Sequence, residues 1–224
     1  MKTIDYPITY PESDGLPMAD NTEQYEWITL IKSNLDIIFA EQEEVFVAGD
    51  LLWYPVEGNP KIRVAPDVLV AFDRPKGYRG SYLQWLEGDV PPQVVFEILS
   101  PGNHPLEMTR KLAFYERYGV HEYYVYDPLK LDFAVWIRQK DELCAVENTE
   151  LRGWRSRLLG ILFAWNPARN EPLRIYHADG QPFGTAVELN RERMEAKWNA
   201  KAERQRAERL AAKLRELGID PESV

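Results

Sequence analysis

The chain contains one cysteine, Cys144, so an internal disulfide cannot form and a secreted, disulfide-stapled framework is not expected. No run of eighteen apolar residues occurs, so no segment reads as a bilayer-spanning helix and no membrane partner is expected. The first residues, with Asp5, Glu12, Asp14 and several prolines, lack the basic-then-apolar order of a signal peptide, and a cytoplasmic location is expected. Positive charge is also scarce: 27 Lys and Arg stand against 36 Asp and Glu, a net charge of −9. Bulk electrostatics do not favour a nucleic-acid partner, so any grip on phosphates has to come from a local patch or a bound metal. His104, His121 and His177 lack zinc-type spacing, and Ser100 stands in no Gly-x-Ser-x-Gly elbow. No phosphate-binding glycine loop or dinucleotide fingerprint is present.

What is there suffices for one packed domain with an appendage. Of 224 residues, 45% are hydrophobic and 28% charged. Residues 1–20 read as a loose arm, 21–185 as the main domain and 186–224 as a charged C-terminal helix. Trp27, Ile28, Ile31, Leu35 and Ile38 recur at helical spacing within 21–40, with Asn21 or Thr22 as the N-cap. Val45 to Tyr54 and Lys61 to Phe72 read as strands around the turn signal Gly58-Asn59-Pro60. The segment 73–92 reads as an excursion from the sheet. Val94 to Leu99 reads as a strand, Pro105 to Tyr118 as a helix, and Tyr123 to Tyr126 and Phe133 to Ile137 as strands around Asp127-Pro128. Further short strands are expected at Leu143–Val146 and Arg174–Tyr176. This order predicts an α/β (α+β) fold, a mixed sheet flanked by helices. From Glu188 to Leu217 there is no Gly or Pro, and Ala207, Leu210, Leu214 and Leu217 have the spacing of a short coiled-coil seam, with Gly218 and Pro221 as stop signals. The alternative is a solvated surface helix.

Two acids interrupt the apolar strands. Glu97 lies within Val94–Leu99, on one strand face with Val95 and Leu99, where an unpaired carboxylate would be costly to bury. The plainer reading is an edge strand or a salt bridge. Asp67 opens the apolar run after Pro66, where the plainer reading is a turn cap. Together they offer the hard oxygen ligands that magnesium takes. On the following helix Met108, Lys111, Tyr115 and Tyr118 form one stripe, so Lys111 either snorkels to solvent or meets a buried acid. Its ammonium would stabilise charge developing on a phosphate. Two basic clusters, Arg74, Lys76 and Arg79, and Arg152, Arg155 and Arg157, are candidates for phosphate contacts, with solvated loops as the alternative. The aromatic residues Trp53, Tyr54, Trp85, Trp136, Trp154 and Trp165 are expected in the core and a dimer surface.

Ala65-Pro66-Asp67-Val68, Val95-Phe96-Glu97-Ile98-Leu99-Ser100-Pro101, Lys111-Leu112-Ala113-Phe114-Tyr115, Gly119-Val120-His121-Glu122-Tyr123-Tyr124 and Asp127-Pro128 occur in the order of a known pattern. In these motifs the chain resembles the Uma-type restriction endonuclease family of the PD-(D/E)XK nuclease superfamily, over roughly Asn21 to Tyr176. Ser156 to Leu162 is similar to that family's late turn and strand. The resemblance implies a restriction-endonuclease-like fold and metal-dependent phosphodiester hydrolysis, with DNA as substrate, Mg2+ as the metal and Mn2+ as a substitute. By it, Asp67 and Glu97 are metal-binding acids and Lys111 a catalytic lysine. The superfamily places a lysine two residues after the glutamate, where this chain has Leu99, and Lys111 stands at the family's helical lysine. A further acid on the first helix often completes such sites, and Glu23 is the candidate. A homodimer is expected, since twofold symmetry supplies two opposed sites for a duplex. The alternative function is a degenerate nuclease fold that serves as a nucleic-acid or protein binding scaffold.

Overall fold

The structure, a computed structural model, describes residues 8–15 and 17–216. The chain divides into two compact units, Met1–Phe183 and Gly184–Val224. In the first, helix α1 (Thr22–Ile38) is capped by Asn21, whose side chain accepts from the Gln24 N–H at 2.9 Å. That bond satisfies one of the free donors of the first turn. Ile28, Ile31 and Leu35 form the buried stripe of α1, at the helical spacing its sequence predicts.

Strands β1 (Val45–Gly49), β3 (Val68–Phe72), β5 (Val94–Ile98), β6 (Glu122–Asp127), β7 (Asp132–Gln139) and β8 (Glu142–Ala145) build a mixed sheet in the order β1-β3-β5-β6-β7-β8. Only the β5–β6 pair is parallel. Helix α2 (Pro105–Arg117) makes the crossover between them, as parallel neighbours require. A second sheet has three antiparallel strands, β9 (Arg152–Arg155), β10 (Leu162–Ala164) and β11 (Arg174–Tyr176), in the order β11-β10-β9. Of these three, only β11 and the turn leading to β10 were legible in the sequence, because β9 carries two arginines and a glycine and shows no apolar alternation.

Alternation along the strands sorts two cores. Val68, Val70, Val94, Phe96 and Tyr124 pack under α1 and the three-stranded sheet. Leu69, Ala71, Val95, Tyr123 and Val125 pack on the other face, under α2 through Tyr115. The site lies on this second face.

The expected strand Val45–Tyr54 is in fact two. Asp50 adopts a left-handed φ of 49°, which ends β1, and Trp53–Tyr54 pairs instead as β2 with β4 (Tyr82–Leu83) in a parallel ribbon. The expected strand Lys61–Phe72 joins the sheet only from Val68, although Val64 bridges Trp53; Pro66 has no N–H to give a ladder. The described part of the leading arm is tied down: the Tyr10 ring lies 5.3 Å from Tyr54 and 4.9 Å from Trp85, and the Tyr54 hydroxyl donates to the Pro11 carbonyl at 2.7 Å. The large aromatics Trp53, Tyr54, Tyr115 and Tyr123 are core residues.

The second unit contains α3 (Ala186–Glu216). Thr185 and Glu188 form a capping box, the Thr185 N–H donating to Glu188 at 2.8 Å and the Glu188 N–H to Thr185 at 3.3 Å. Ala207, Leu210 and Leu214 of the expected seam lie on α3; Leu217, Gly218 and Pro221 lie outside the described residues. Among the described residues no helix is long and apolar enough to cross a membrane.

One buried acid has a structural task. Glu122, 2% exposed, accepts from the hydroxyls of Tyr124 and Ser156 and from the N–H groups of Arg157 and Leu158, which pins the turn before β10 to the main sheet. Glu122→Ala leaves these donors without an acceptor, each at a cost of about 1–3 kcal/mol when buried. The expected loss is about 2–4 kcal/mol, read as a lower urea midpoint with an unchanged slope. A loss below about 1 kcal/mol would show that the turn is held by other contacts.

Candidate active site

Register brings the acids together. Val68 pairs with Phe96 and Gly49 with Val68, so one step further along each ladder Asp67 stands across from Glu97 and Asp50 across from Asp67. The Asp50 N–H donates to the Asp67 carbonyl at 3.1 Å, and the Ile98 N–H donates to Asp67 Oδ2 at 2.6 Å. Three carboxylates thus form a row across β1, β3 and β5, on the face that α2 covers. Asp50 did not stand out in the sequence. Its signal was the hairpin register, which places it opposite Asp67 only once Val45 is paired with Phe72.

Helix α2 supplies the cation. His104 precedes it and Pro105 opens it, where a missing N–H costs nothing. Lys111 and Tyr115, one turn apart, share the sheet-facing side. Lys111 Nζ lies 2.7 Å from Glu97 Oε2, and the Tyr115 hydroxyl donates to Glu97 Oε1. Both partners are required, because Glu97 is only 2% exposed. Leu99 has its N–H bonded to the Tyr126 carbonyl and packs in the apolar cluster beneath α2. The position two residues past Glu97 is therefore apolar, and the ammonium enters from the helix instead.

The charges respond to one another. Burial raises the Asp67 carboxyl, the Glu97 charge raises it further, and the Ile98 N–H and Lys111 only partly offset them, so it reaches about 8. Burial and then Asp14 raise Asp50, with Lys111 opposing and Glu97 adding. Burial alone would lower Lys111, but the charge and hydrogen bond of Glu97, with Asp67 and Glu107, hold it above its ordinary value. Tyr115 is driven well up by burial and by Glu97, so it remains a donor. The Tyr123 hydroxyl, raised by burial, Glu97 and Asp67, is buried without a hydrogen-bond partner among the described residues.

Asp67, Glu97 and Lys111, singled out in the sequence, are therefore brought to one place. Glu23 is not. It is exposed in the first turn of α1, where it accepts from Trp27 Nε1 at 3.2 Å, and α1 packs on the opposite face of the sheet. The acid nearest in kind to the one sought on α1 is Asp50, from the end of β1. The first basic cluster is also spoken for: Arg74 donates to the Glu87 carbonyl, Lys76 to the Phe39 and Ala40 carbonyls, and Arg79 pairs with Glu87 at 2.6 Å.

The raised Asp67 carboxyl makes stability depend on pH. An unfolded aspartate loses its proton near 3.8, whereas the folded one keeps it to about 8. Between these values the unfolded chain binds fewer protons, so the contribution is complete at low pH and is lost as pH rises to about 8. Asp67→Asn, which keeps an acceptor for Ile98 N–H and cannot ionise, is expected to be more stable than the parent chain at pH 8 and to lose this advantage towards pH 4. Urea midpoints of both chains across that range read the difference; parallel curves would mean that Asp67 is ionised throughout.

No curated protein matches this chain. A crystal structure described as that of a "putative nuclease belonging to DUF820", from Anabaena variabilis ATCC 29413, is similar to it at 15% identity, over 69% of this chain and 87% of that one, with a TM-score of 0.48. The family described as "Uma2: Putative restriction endonuclease" matches residues 18–183, most of the chain. The row of acids on β1, β3 and β5 and the lysine that meets them lie inside that match, and the chain belongs to this family.

Proposed function

We propose that this protein is a metal-dependent phosphodiesterase of the PD-(D/E)XK type, a DNA endonuclease that works with Mg2+ or Mn2+. The observation that carries the reading is the meeting of Asp67 and Glu97 with the Lys111 ammonium on one buried face. The residues suit a divalent cation. Magnesium is commonly held by one or two carboxylates, with water and substrate phosphate completing its shell. Asp67 and Glu97 form such a pair. The repulsion that keeps Asp67 protonated is the repulsion a cation would relieve. The unsatisfied Tyr123 hydroxyl is a further polar group that a metal-bound water would satisfy. Among the described residues no three of His, Cys, Asp or Glu are grouped to hold a metal ion, so the reading rests on the Asp67 and Glu97 pair.

Such an ion would lower the pKa of an attacking water and polarise the phosphoryl oxygen. The chain's own groups have separate tasks. Tyr115 fixes one oxygen of Glu97 and Lys111 the other, so the carboxylate is oriented before substrate arrives. Lys111 presents a fixed positive charge to the phosphate oxygens as negative charge grows on them. Asp67, held by the Ile98 N–H, would be the second carboxylate ligand of such an ion. A homodimer would present two such sites to the strands of a duplex.

The second reading, a binding scaffold, is favoured by the same pair seen differently: both Glu97 oxygens are already satisfied, and Leu99 replaces a lysine. Activity separates the two. The purified chain is expected to nick supercoiled DNA with Mg2+ or Mn2+. Glu97→Gln should reduce this by about 100-fold or more, as should Lys111→Met, the scale seen when one charge-stabilising group is removed. Circular dichroism confirms that each variant is folded. Equal trace cleavage by the parent and Glu97→Gln chains would identify a contaminant and leave the scaffold.

A further inference from the structure

Of the second basic cluster, Arg155 donates to the Gly160 carbonyl at 3.0 Å, whereas Arg152 belongs to a different set, with Arg169 and Arg174. Across the three-stranded sheet, Arg152 of β9 and Arg174 of β11 both pair with Ala164 of β10, so the three residues form one row. The neighbouring row, Trp154, Phe163 and Ile175, is packed against the core, which turns the arginine row outward. Ala164 has only a methyl group, and above it opens a cavity of about 270 Å³. Arg169, from the turn after β10, joins Arg152 and Arg174 around it, with the buried Trp165 at its wall.

None of these three guanidiniums has a hydrogen bond or ion pair among the described residues, although Glu171 is at the cavity's edge. Three arginines elsewhere in the unit are tied down. Arg79 is paired with Glu87, Arg74 is bound to a carbonyl, and Arg138 donates to the carbonyls of Val120, Tyr115, Glu116 and Asp141. Three free guanidiniums around one opening repel one another unless an anion lies between them. They are gathered there in a chain whose net charge is −9. Guanidinium forks match phosphate oxygens in shape as well as charge.

We propose that the outer face of β9–β11, through Arg152, Arg169 and Arg174, binds the phosphate backbone of DNA outside the cutting site. The occupant rests on the nuclease reading above; the anionic character of the site does not. This sheet covers the face of the main sheet opposite Asp67 and Glu97, so the arginines contribute to holding the nucleic acid and not to breaking the bond. Their loss therefore weakens duplex binding while the single-turnover rate at saturating DNA stays unchanged.

The test uses fluorescein-labelled duplex DNA and the full chain carrying Glu97→Gln, which permits binding without cutting. Anisotropy at several salt concentrations gives the slope of log affinity against log salt, to which each duplex phosphate contact contributes about 0.9. Arg152→Gln, Arg169→Gln and Arg174→Gln together should make that slope shallower by about two to three units. The three Lys replacements, which keep the charge, should leave it nearly unchanged. An unchanged slope in the Gln variant, or no binding of duplex by the Glu97→Gln chain, would overturn the proposal. So would polyglutamate binding to these arginines as tightly as the duplex, since the partner would then be an acidic peptide. Cleavage by the parent chain is read separately. Cleavage with an unchanged slope removes the arginine surface and leaves the nuclease; a shallower slope without cleavage does the reverse.

Discussion

A carboxylate in the middle of a buried strand must find a cation or give up its charge, and Glu97 finds Lys111. Much of the first unit follows from that pairing. The lysine has to come from a helix laid across β5, and the parallel step from β5 to β6 requires a crossover of that kind. Tyr115, one turn beyond Lys111, completes the second oxygen and at the same time fills the core against Tyr123, its ring 5.0 Å away, and Trp53. One helix face thus provides an ammonium, a hydroxyl and an apolar surface. A shift of α2 by a single residue would separate all three from their partners at once. Breaking such a buried pair typically costs 3–5 kcal/mol, because the acid left behind stays out of water.

The same pairing leaves Asp67 at a disadvantage. With Lys111 bound to Glu97 and only the Ile98 N–H donating to Asp67, the row of acids contains more negative charge than its partners neutralise. The fold tolerates this by letting Asp67 keep its proton and by leaving Asp50 exposed at the end of β1. The contrast with Glu122 is instructive. That acid is equally buried, yet four donors surround it and it serves as a fastener between sheet and turn. Burial alone does not mark a chemical site; a deficit of partners does.

The sequence disclosed those features that depend on local pattern. The apolar strands around Asp67 and Glu97, the capped helix α1 and the stripe of Met108, Lys111, Tyr115 and Tyr118 are all periodic, and each appears in the structure, the strand after Asp67 only from Val68. Features that depend on register or on one backbone angle were hidden. Asp50 belongs to the row only through the pairing of β1 with β3, and its own left-handed φ breaks a run that otherwise reads as a single strand. Glu23 showed the reverse error: a suitable residue on a correctly placed helix, but on a helix that packs against the wrong face. The arginine row needed both register and bulge, since Arg152 reaches Ala164 only because the ladder shifts there around Gly153.

Charge placement gives these observations a common reading. A chain with an excess of acids cannot attract a polyanion by its average charge, and a site made of acids repels it further. Positive charge used to secure loops, as in Arg74, Arg79 and Arg138, is no longer free to help. On the proposed reading, the charge that would hold the polyanion is concentrated in Arg152, Arg169 and Arg174, away from the carboxylates that would otherwise neutralise it. The two faces of the main sheet supply that separation. Acids and a single bound lysine occupy the α2 side, and three unpaired arginines occupy the outer surface of the layer on the other. A sheet between them keeps the two sets from cancelling, which a single shared surface would not.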